Sequence, residues 1–367
     1  MFSDETYRIS PLELCITLIG MVLGVGVLTL PKVLAQALGT PDGWISVLIS
    51  SLLAMLIILL FVRLAQHFPQ KNILQILEYA PYGKLLSMTF GILFVLYFLG
   101  VIAFEGRVLA TVVKIYLLVE TPTEIILALV FLTVAYATSK GLQGLIHLNL
   151  LFVPICTLVL FGIVLLNMKD FSLGELLPIM PNGVTPILLG LKESSVSFLG
   201  LEIIFFLAAY MRANRLKAAP LNVSLSFLAL LYLIVTLLCF SVFSVEATKI
   251  IVFPTVELAK EVEIAGGIFE RLESLLITVW IITIFSTVAL STWLTYTILQ
   301  KQFFKKSKRI WLIAFVSAIT YFLSFLPQSI TQAFILGERI SFLGICLICF
   351  GLAAGYMALW RNKSLTH

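Results

Sequence analysis

Residues Gly20 to Pro31 read GMVLGVGVLTLP, and this stretch decides how the chain folds. It sits inside an apolar run from about 11 to 37, long enough to cross a bilayer as one helix. Yet Gly24 and Gly26 bracket a single residue near mid-run, and Pro31 follows shortly after. In hydrocarbon, backbone groups leave their helical partners only where they line a cavity or find other satisfaction. Glycine lacks the Cβ that stiffens a helix, so this run predicts an unwound turn. The half-helix beyond the turn would aim its first amides at mid-membrane, where they suit an anionic carboxylate such as that of an amino acid. Packing is the competing reading, because Gly20 and Gly24 also form a GxxxG that lets helices approach closely. It gives no reason for Gly26 or Pro31.

Working outward, the 367-residue chain is 60% apolar and only 12% charged, with 28 Phe and a mean hydropathy of +1.10. An ordinary soluble domain carries about 25% charge, so this composition excludes a soluble enzyme, a nucleic-acid-binding domain and a disordered regulator. Membrane-length apolar stretches run over about 11–37, 44–66, 84–118, 123–139, 144–167, 185–210, 219–245, 269–299, 309–326 and 339–360. The expectation is an all-α polytopic membrane protein of ten transmembrane helices in a single integral domain. Arg8, Arg63, Lys71, Lys84, Lys140, the Arg212–Lys217 cluster, the Lys301–Arg309 run, Arg361 and Lys363 fall on one side. The other side has Lys169, Lys249 and Lys260, with Arg271 and Arg339 at span mouths. Basic residues stay inside, so both termini are expected in the cytoplasm, as an even number of spans requires. The leader MFSDETYR carries Asp4 and Glu5 against one Arg, unlike a signal peptide. The outer run VELAKEVEIAGG predicts a short amphipathic helix ending at Gly266-Gly267, read chiefly as a solvated connector.

Span 6 has a second candidate break at SSVSFLGLE, residues Ser194 to Glu202, where small hydroxyls, Gly200 and a buried carboxylate fall together. Five spans precede it, so it enters from the side opposite to span 1. Interrupted helices at matching places in oppositely oriented halves, about 10–167 and 185–360, are the signature of an inverted-repeat transporter. Charges inside spans are costly and point to function. Tyr97, Val101 and Glu105 recur every four residues and share a helix face, whereas Arg107 points elsewhere. Glu105 is therefore a candidate proton or substrate-amine site, with a neutral packing role as the alternative, and Glu202 is a weaker candidate. Arg107 and Lys114 are expected to pair structurally or snorkel, and Lys192 and Glu193 to be satisfied near the outer mouth. Thr283, Thr287, Ser291 and Thr295 form a fourfold-spaced stripe on span 8 that could face the span 1 break or bond its own carbonyls. Cys346 and Cys349 form a CxxC within an apolar span without a second pair, which reads as packing rather than a metal or redox site. The five cysteines imply no disulfide framework, and no cofactor or metal is expected. His67, His147 and His367 form no cluster, and nothing marks an enzyme.

Five motifs in order, GVGVLTLP at Gly24–Pro31, TPDGW at Thr40–Trp44, YFLGVIAFEGR at Tyr97–Arg107, SFLGLE at Ser197–Glu202 and FERLES at 269–274, resemble the spore germination permease family. This is the GerAB-type B subunit of the endospore nutrient germinant receptor, within the amino acid-polyamine-organocation superfamily. The resemblance implies a LeuT-like 5+5 inverted repeat with broken helices 1 and 6. It also implies a nutrient-sensing role in the spore inner membrane beside an A subunit and a lipoprotein C subunit. A ligand pocket between spans 1, 3, 6 and 8 would select Gly24, Val25 and Gly26 with Tyr97, Val101 and Glu105, Phe198, Leu199 and Gly200, and Thr287. The expected ligand is a small germinant, an L-amino acid. A proton-coupled amino acid transporter of the same fold is the runner-up, and a scaffold or pore subunit that binds no nutrient is a third reading.

Overall fold

The computed structural model describes residues 7–261 and 272–365, and among these there is no β-strand. The helices follow the apolar runs. The first run divides into α1 (Pro11–Leu23) and α2 (Gly26–Leu38), bent by 47° at the break. Next come α3 (Gly43–His67), the short α4 (Ile73–Leu77), α5 (Gly83–Tyr116), α6 (Thr123–Ser139) and α7 (Leu142–Asn167). The sixth run divides into α8 (Thr185–Ser197) and α9 (Leu201–Tyr210), also bent by 47°. It is followed by α10 (Ala218–Ile250), α11 (Pro254–Lys260), α12 (Leu272–Ile298), α13 (Arg309–Leu323) and α14 (Ile330–Leu365).

Six helices are long and apolar enough to cross a membrane, and the two bent pairs make eight spans. The remaining two expected spans are α6 and α13, of 17 and 15 residues. At 1.5 Å per residue these reach only roughly 25 Å, so the multi-pass architecture is clear while the count of ten is not fixed by helix length. The last helix begins at Ile330 rather than 339, because Gly337-Glu338-Arg339 sits inside α14 instead of interrupting it. The short helix α11 ends at Lys260; the expected cap at Gly266-Gly267, like the opening of FERLES, lies outside the described residues.

Local chemistry accounts for the ends of the broken elements. Ser10 and Glu13 form a capping box at the start of α1, with Pro11 in the first turn, where its missing N–H costs nothing. Pro31 lies inside α2 and cannot donate to the carbonyl of Val27 four residues earlier. Thr255 on α11 supplies that donor, its hydroxyl 2.6 Å from Val27 O. The start of α2 is thus held from outside its own helix. At the other end, the Ile9 N–H donates to Tyr210 O at 3.0 Å in an isolated parallel bridge between Ile9 and Met211, which ties the entry of the first run to the exit of the sixth. Ser46, Ser50 and Ser194 knit α3 to α8 through bonds of 2.6–3.1 Å.

The helix α14 packs against α5 by interlocking rings and glycines. A methyl group on Gly337 would meet the Phe104 ring at 2.7 Å, one on Gly344 the Tyr97 ring at 2.6 Å, and one on Gly351 the Phe90 ring at 3.6 Å. Glycines every seven residues on one helix receive aromatic rings every seven residues on the other. Between them Ile340 fills the notch at Gly100. Such close backbone approach is how membrane helices associate when no hydrophobic driving force separates protein from lipid.

Candidate functional site

The two breaks meet. Gly200 adopts φ +107°, a conformation that favours glycine. A methyl group there would lie 2.8 Å from Met21 O and 3.1 Å from Val22 N. The unwound turn of the sixth run therefore rests directly on the backbone of the first. Beside this crossing lies a cavity of about 150 Å³.

Of the residues singled out from sequence, Gly24, Val25, Gly26, Tyr97, Val101, Glu105, Leu199, Gly200 and Glu202 line the cavity. Phe198 does not: it is 1% exposed and turns edge-on against Tyr232, with ring centroids 5.6 Å apart. Consecutive side chains on a helical turn point about 100° apart, so Leu199 faces the cavity and Phe198 the core. Thr287 stands one layer back, its hydroxyl donating to Glu105 Oε2 at 2.7 Å. Of the span 8 stripe, Thr283 and Thr295 bond their own helix at Val279 O and Ser291 O, and Ser291 Oγ has no partner. The stripe thus bonds mainly its own helix, with Thr287 reaching Glu105 on α5 and Thr283 also in hydrogen-bond contact with Cys156 on α7. The two glycines of the GxxxG also separate in role. A methyl group on Gly20 would meet Asn149 on α7 at 2.7 Å, a packing contact, whereas one on Gly24 would meet Glu105 Oε1 at 3.0 Å.

The two buried carboxylates differ in how their oxygens are used. Glu202 accepts from the Tyr97 hydroxyl at 2.9 Å and from the Gly200 N–H at 2.8 Å, so both oxygens are occupied. It caps the start of α9 with a carboxyl group from within the same segment. Glu105 has Oε2 engaged by Thr287, while Oε1 faces Gly24 and the cavity with no donor among the described residues. On the first run, the amide N–H groups of Gly24 and Val25 have no acceptor among the described residues. A free carboxylate oxygen and free backbone amides thus face one space. That combination complements a zwitterion, with its ammonium toward Glu105 and its carboxylate toward the amides.

The fourth wall comes from α14, through Phe334, Gly337, Glu338, Ile340 and Ser341. Sequence reasoning missed this wall. The seven-residue glycine spacing was its available signal. Glu193 and Glu338 also line the cavity, and Lys192 pairs with Glu338 and lies 3.5 Å from Glu193. Lys114 is exposed, as a snorkelling residue would be, whereas Arg107 is half-buried and its Nε has no partner. Also missed were Trp280 and Tyr232, whose polar tips reach the break: Trp280 Nε1–H donates to Gly24 O at 2.9 Å and Tyr232 O–H to Val22 O at 2.6 Å. Buried Trp and Tyr usually find a hydrogen-bond partner, so each was a cue in an otherwise apolar span.

A second cavity, of about 130 Å³, opens toward the mouth that holds Tyr210 and is lined by Phe206, Tyr210, Trp293 and Lys301 among others. Between the two cavities Phe94, Phe98 and Phe206 pack with ring centroids 5.0–6.1 Å apart. Among the described residues no His, Cys, Asp and Glu group could hold a metal ion, and Cys346 and Cys349 are free.

Comparison with known proteins places this geometry. A profile of spore germination proteins matches residues 8–333. Spore germination protein YndE of Bacillus subtilis (strain 168) is 32% identical across 99% of both chains. Spore germination protein GerLB of Bacillus cereus is 29% identical, covering 90% of this chain and 87% of its own. Among solved structures, MhsT in complex with L-phenylalanine superposes with a TM-score of 0.68 at 12% identity, covering 93% of this chain and 88% of that one. A Na⁺-coupled sialic acid symporter superposes with a TM-score of 0.66 at 11% identity, covering 94% and 79%. At such identities the likeness is one of fold, and the fold is that of LeuT-type transporters.

Proposed function

The chain belongs to the spore germination protein family, and from that membership we propose that it is the nutrient-sensing membrane subunit of a spore germinant receptor. A small germinant, an L-amino acid, binds where the two broken helices cross. The carrying observation is the pairing of free amides at Gly24 and Val25 with the free Oε1 of Glu105 across one cavity. Apolar walls from Val25, Val101, Leu199 and Ile340 favour an aliphatic side chain. Such walls discriminate by only about 1–3 kcal/mol per methylene. Binding shifts a conformational equilibrium because the bound state closes on the ligand, which requires differential affinity for two states and no turnover. The chain sits in the spore inner membrane with both termini in the cytoplasm, and A and C subunits read out its state.

A second reading, a proton-coupled amino acid transporter using Glu105, is favoured by the cavity beyond the Phe94, Phe98 and Phe206 plug. Cavities on both sides of one plug are what alternating access needs. Time-resolved uptake of labelled L-amino acids into proteoliposomes, with and without a proton gradient, together with equilibrium binding on the same preparation, separates the two. Binding without uptake supports the sensor. Saturable, gradient-sensitive uptake supports the transporter, and absence of both removes the amino acid site.

A further inference from the structure

Most of α2 is buried, and the residues of it that are not buried form a track. They are Gly26, Lys32, Val33, Gln36 and Ala37. Gly26 and Val33 line the cavity, as does Thr29 between them. Residues three and four apart share a helix face, so the track starts at the cavity and climbs along one side of α2 to the mouth at Leu38. Lys32 stands on this track, three residues beyond Thr29 and next to Val33, at the rim of the cavity rather than in its lining.

A lysine inside a membrane-spanning segment is costly and is normally paired. Around the same mouth Lys192 pairs with Glu338, and Lys249, whose carbonyl holds Gln36, pairs with Glu246. Lys32 is half-buried and has neither a hydrogen bond nor an ion pair among the described residues. Its ammonium offers three donors and no acceptor, so the partner it lacks is an anion. The bland reading is a side chain that snorkels to the mouth. Side chains on a helix lean toward its N-terminus, however, and the N-terminus of α2 is the break itself. The stem of Lys32 therefore sets out toward the cavity and away from the mouth. Gly26 lies roughly 9 Å further along the axis, so a carboxylate entering from the mouth meets Lys32 before it meets the free amides of Gly24 and Val25. Glu193 on α8 and Glu338 on α14 share the one ammonium of Lys192 at the cavity wall. That wall has a carboxylate in excess and suits the other end of a zwitterion.

We infer that Lys32 is an entry contact, which draws the carboxylate of a small zwitterion from the mouth at the Leu38 end of α2 toward the break. The zwitterion rests on reading this cavity as the nutrient site; the attraction of a small anion to the track does not.

The test uses the purified full chain in detergent. In the anion arm, Val33→Cys is made with Lys32 kept or changed by Lys32→Met, and its rate of modification is measured with the anionic thiol reagent sulfonatoethyl methanethiosulfonate and with its cationic trimethylammonium counterpart. The chain without the added cysteine gives the background of the five native ones. Removing Lys32 should slow the anionic reagent by roughly fivefold or more without slowing the cationic one, and the difference should fade at high salt. Equal anionic rates, or no reaction of Val33→Cys with either reagent, would overturn the inference. In the ligand arm, association and dissociation of labelled L-alanine, L-valine and L-leucine are timed. Lys32→Met should lower the association rate by roughly fivefold or more at low salt and leave dissociation within about twofold, and Lys32→Arg should restore it. An unchanged association rate, or a change confined to dissociation, would overturn the entry role. If none of the three binds to the wild-type chain while the anion arm holds, the nutrient reading fails and Lys32 stands as an anion contact at the mouth. Lys32→Gln gives the same contrasts should Lys32→Met fail to fold.

Discussion

Replacing Gly200 by Ala is the smallest change that attacks the crossing of the two breaks. Gly200 holds φ +107°, and a side chain in that left-handed region costs about 1–2 kcal/mol. The added methyl would also meet Met21 O at 2.8 Å, Met21 C at 2.9 Å and Val22 N at 3.1 Å. All three are backbone atoms, so no side chain can swing aside. Overpacking of this kind costs about 1–3 kcal/mol. Together the two effects destabilise the native crossing by roughly 2–5 kcal/mol. Relief requires the two unwound turns to separate, which opens the cavity between them. The assay is the thermal midpoint of the purified protein, paired with nutrient binding. Gly200→Ala should lower the midpoint by several degrees and weaken binding. Gly162→Ala is the matched control, because a methyl group there meets nothing within 4 Å and Ala gains up to about 1 kcal/mol over Gly in a helix. A Gly200→Ala protein with the wild-type midpoint and wild-type binding would refute the direct contact between the breaks.

Thr287→Val removes the one donor to Glu105 Oε2 among the described residues; an ordinary hydrogen bond is worth about 0.5–1.5 kcal/mol, so the half-maximal nutrient concentration should rise by about two- to tenfold while Thr287→Ser restores it, and an unchanged Val variant would deny that Thr287 orients Glu105. Thr255→Val bares Val27 O opposite Pro31, and should cost about 1–3 kcal/mol, read as a lower unfolding midpoint; no change would mean that Thr255 does not fill the gap left by the proline. Glu105→Gln keeps the shape but removes the acidic group that would take up or share a proton with the ammonium, so amino acid binding should weaken at least tenfold and any gradient-driven uptake should vanish. Retained wild-type affinity would remove Glu105 as the ammonium acceptor.

The parts of this molecule that were legible in the sequence are those set by local chemistry. Apolar run length located six unbroken spans and the two bent ones, and the glycines at 24, 26 and 200 marked the positions of both bends. The fourfold spacing of Tyr97, Val101 and Glu105 placed one cavity wall, because helical periodicity fixes which residues share a face. What stayed hidden depends on contacts between distant residues. Tyr232 reaches Val22 across 210 positions and Trp280 reaches Gly24 across 256, and no spacing rule links such pairs. The α14 wall was obscured by Gly337-Glu338-Arg339, which reads as a polar interruption but is helical because the glycine accommodates Phe104. Phe198 was expected at the cavity from the resemblance alone, which selects a segment and not the direction of each side chain in it; its ring packs on Tyr232 instead.

The central claim is that nutrient is held at the break of the first span. Its most direct test is equilibrium binding of labelled L-alanine, L-valine and L-leucine to proteoliposomes containing either the wild-type chain or Gly24→Leu. The first side-chain atom of that leucine would already meet Glu105 Oε1 at 3.0 Å and Met21 O at 3.4 Å, so the rest of it must enter the cavity. The account predicts saturable binding to the wild-type chain and none to Gly24→Leu present in the membrane in equal amount. Equal binding to both would contradict it.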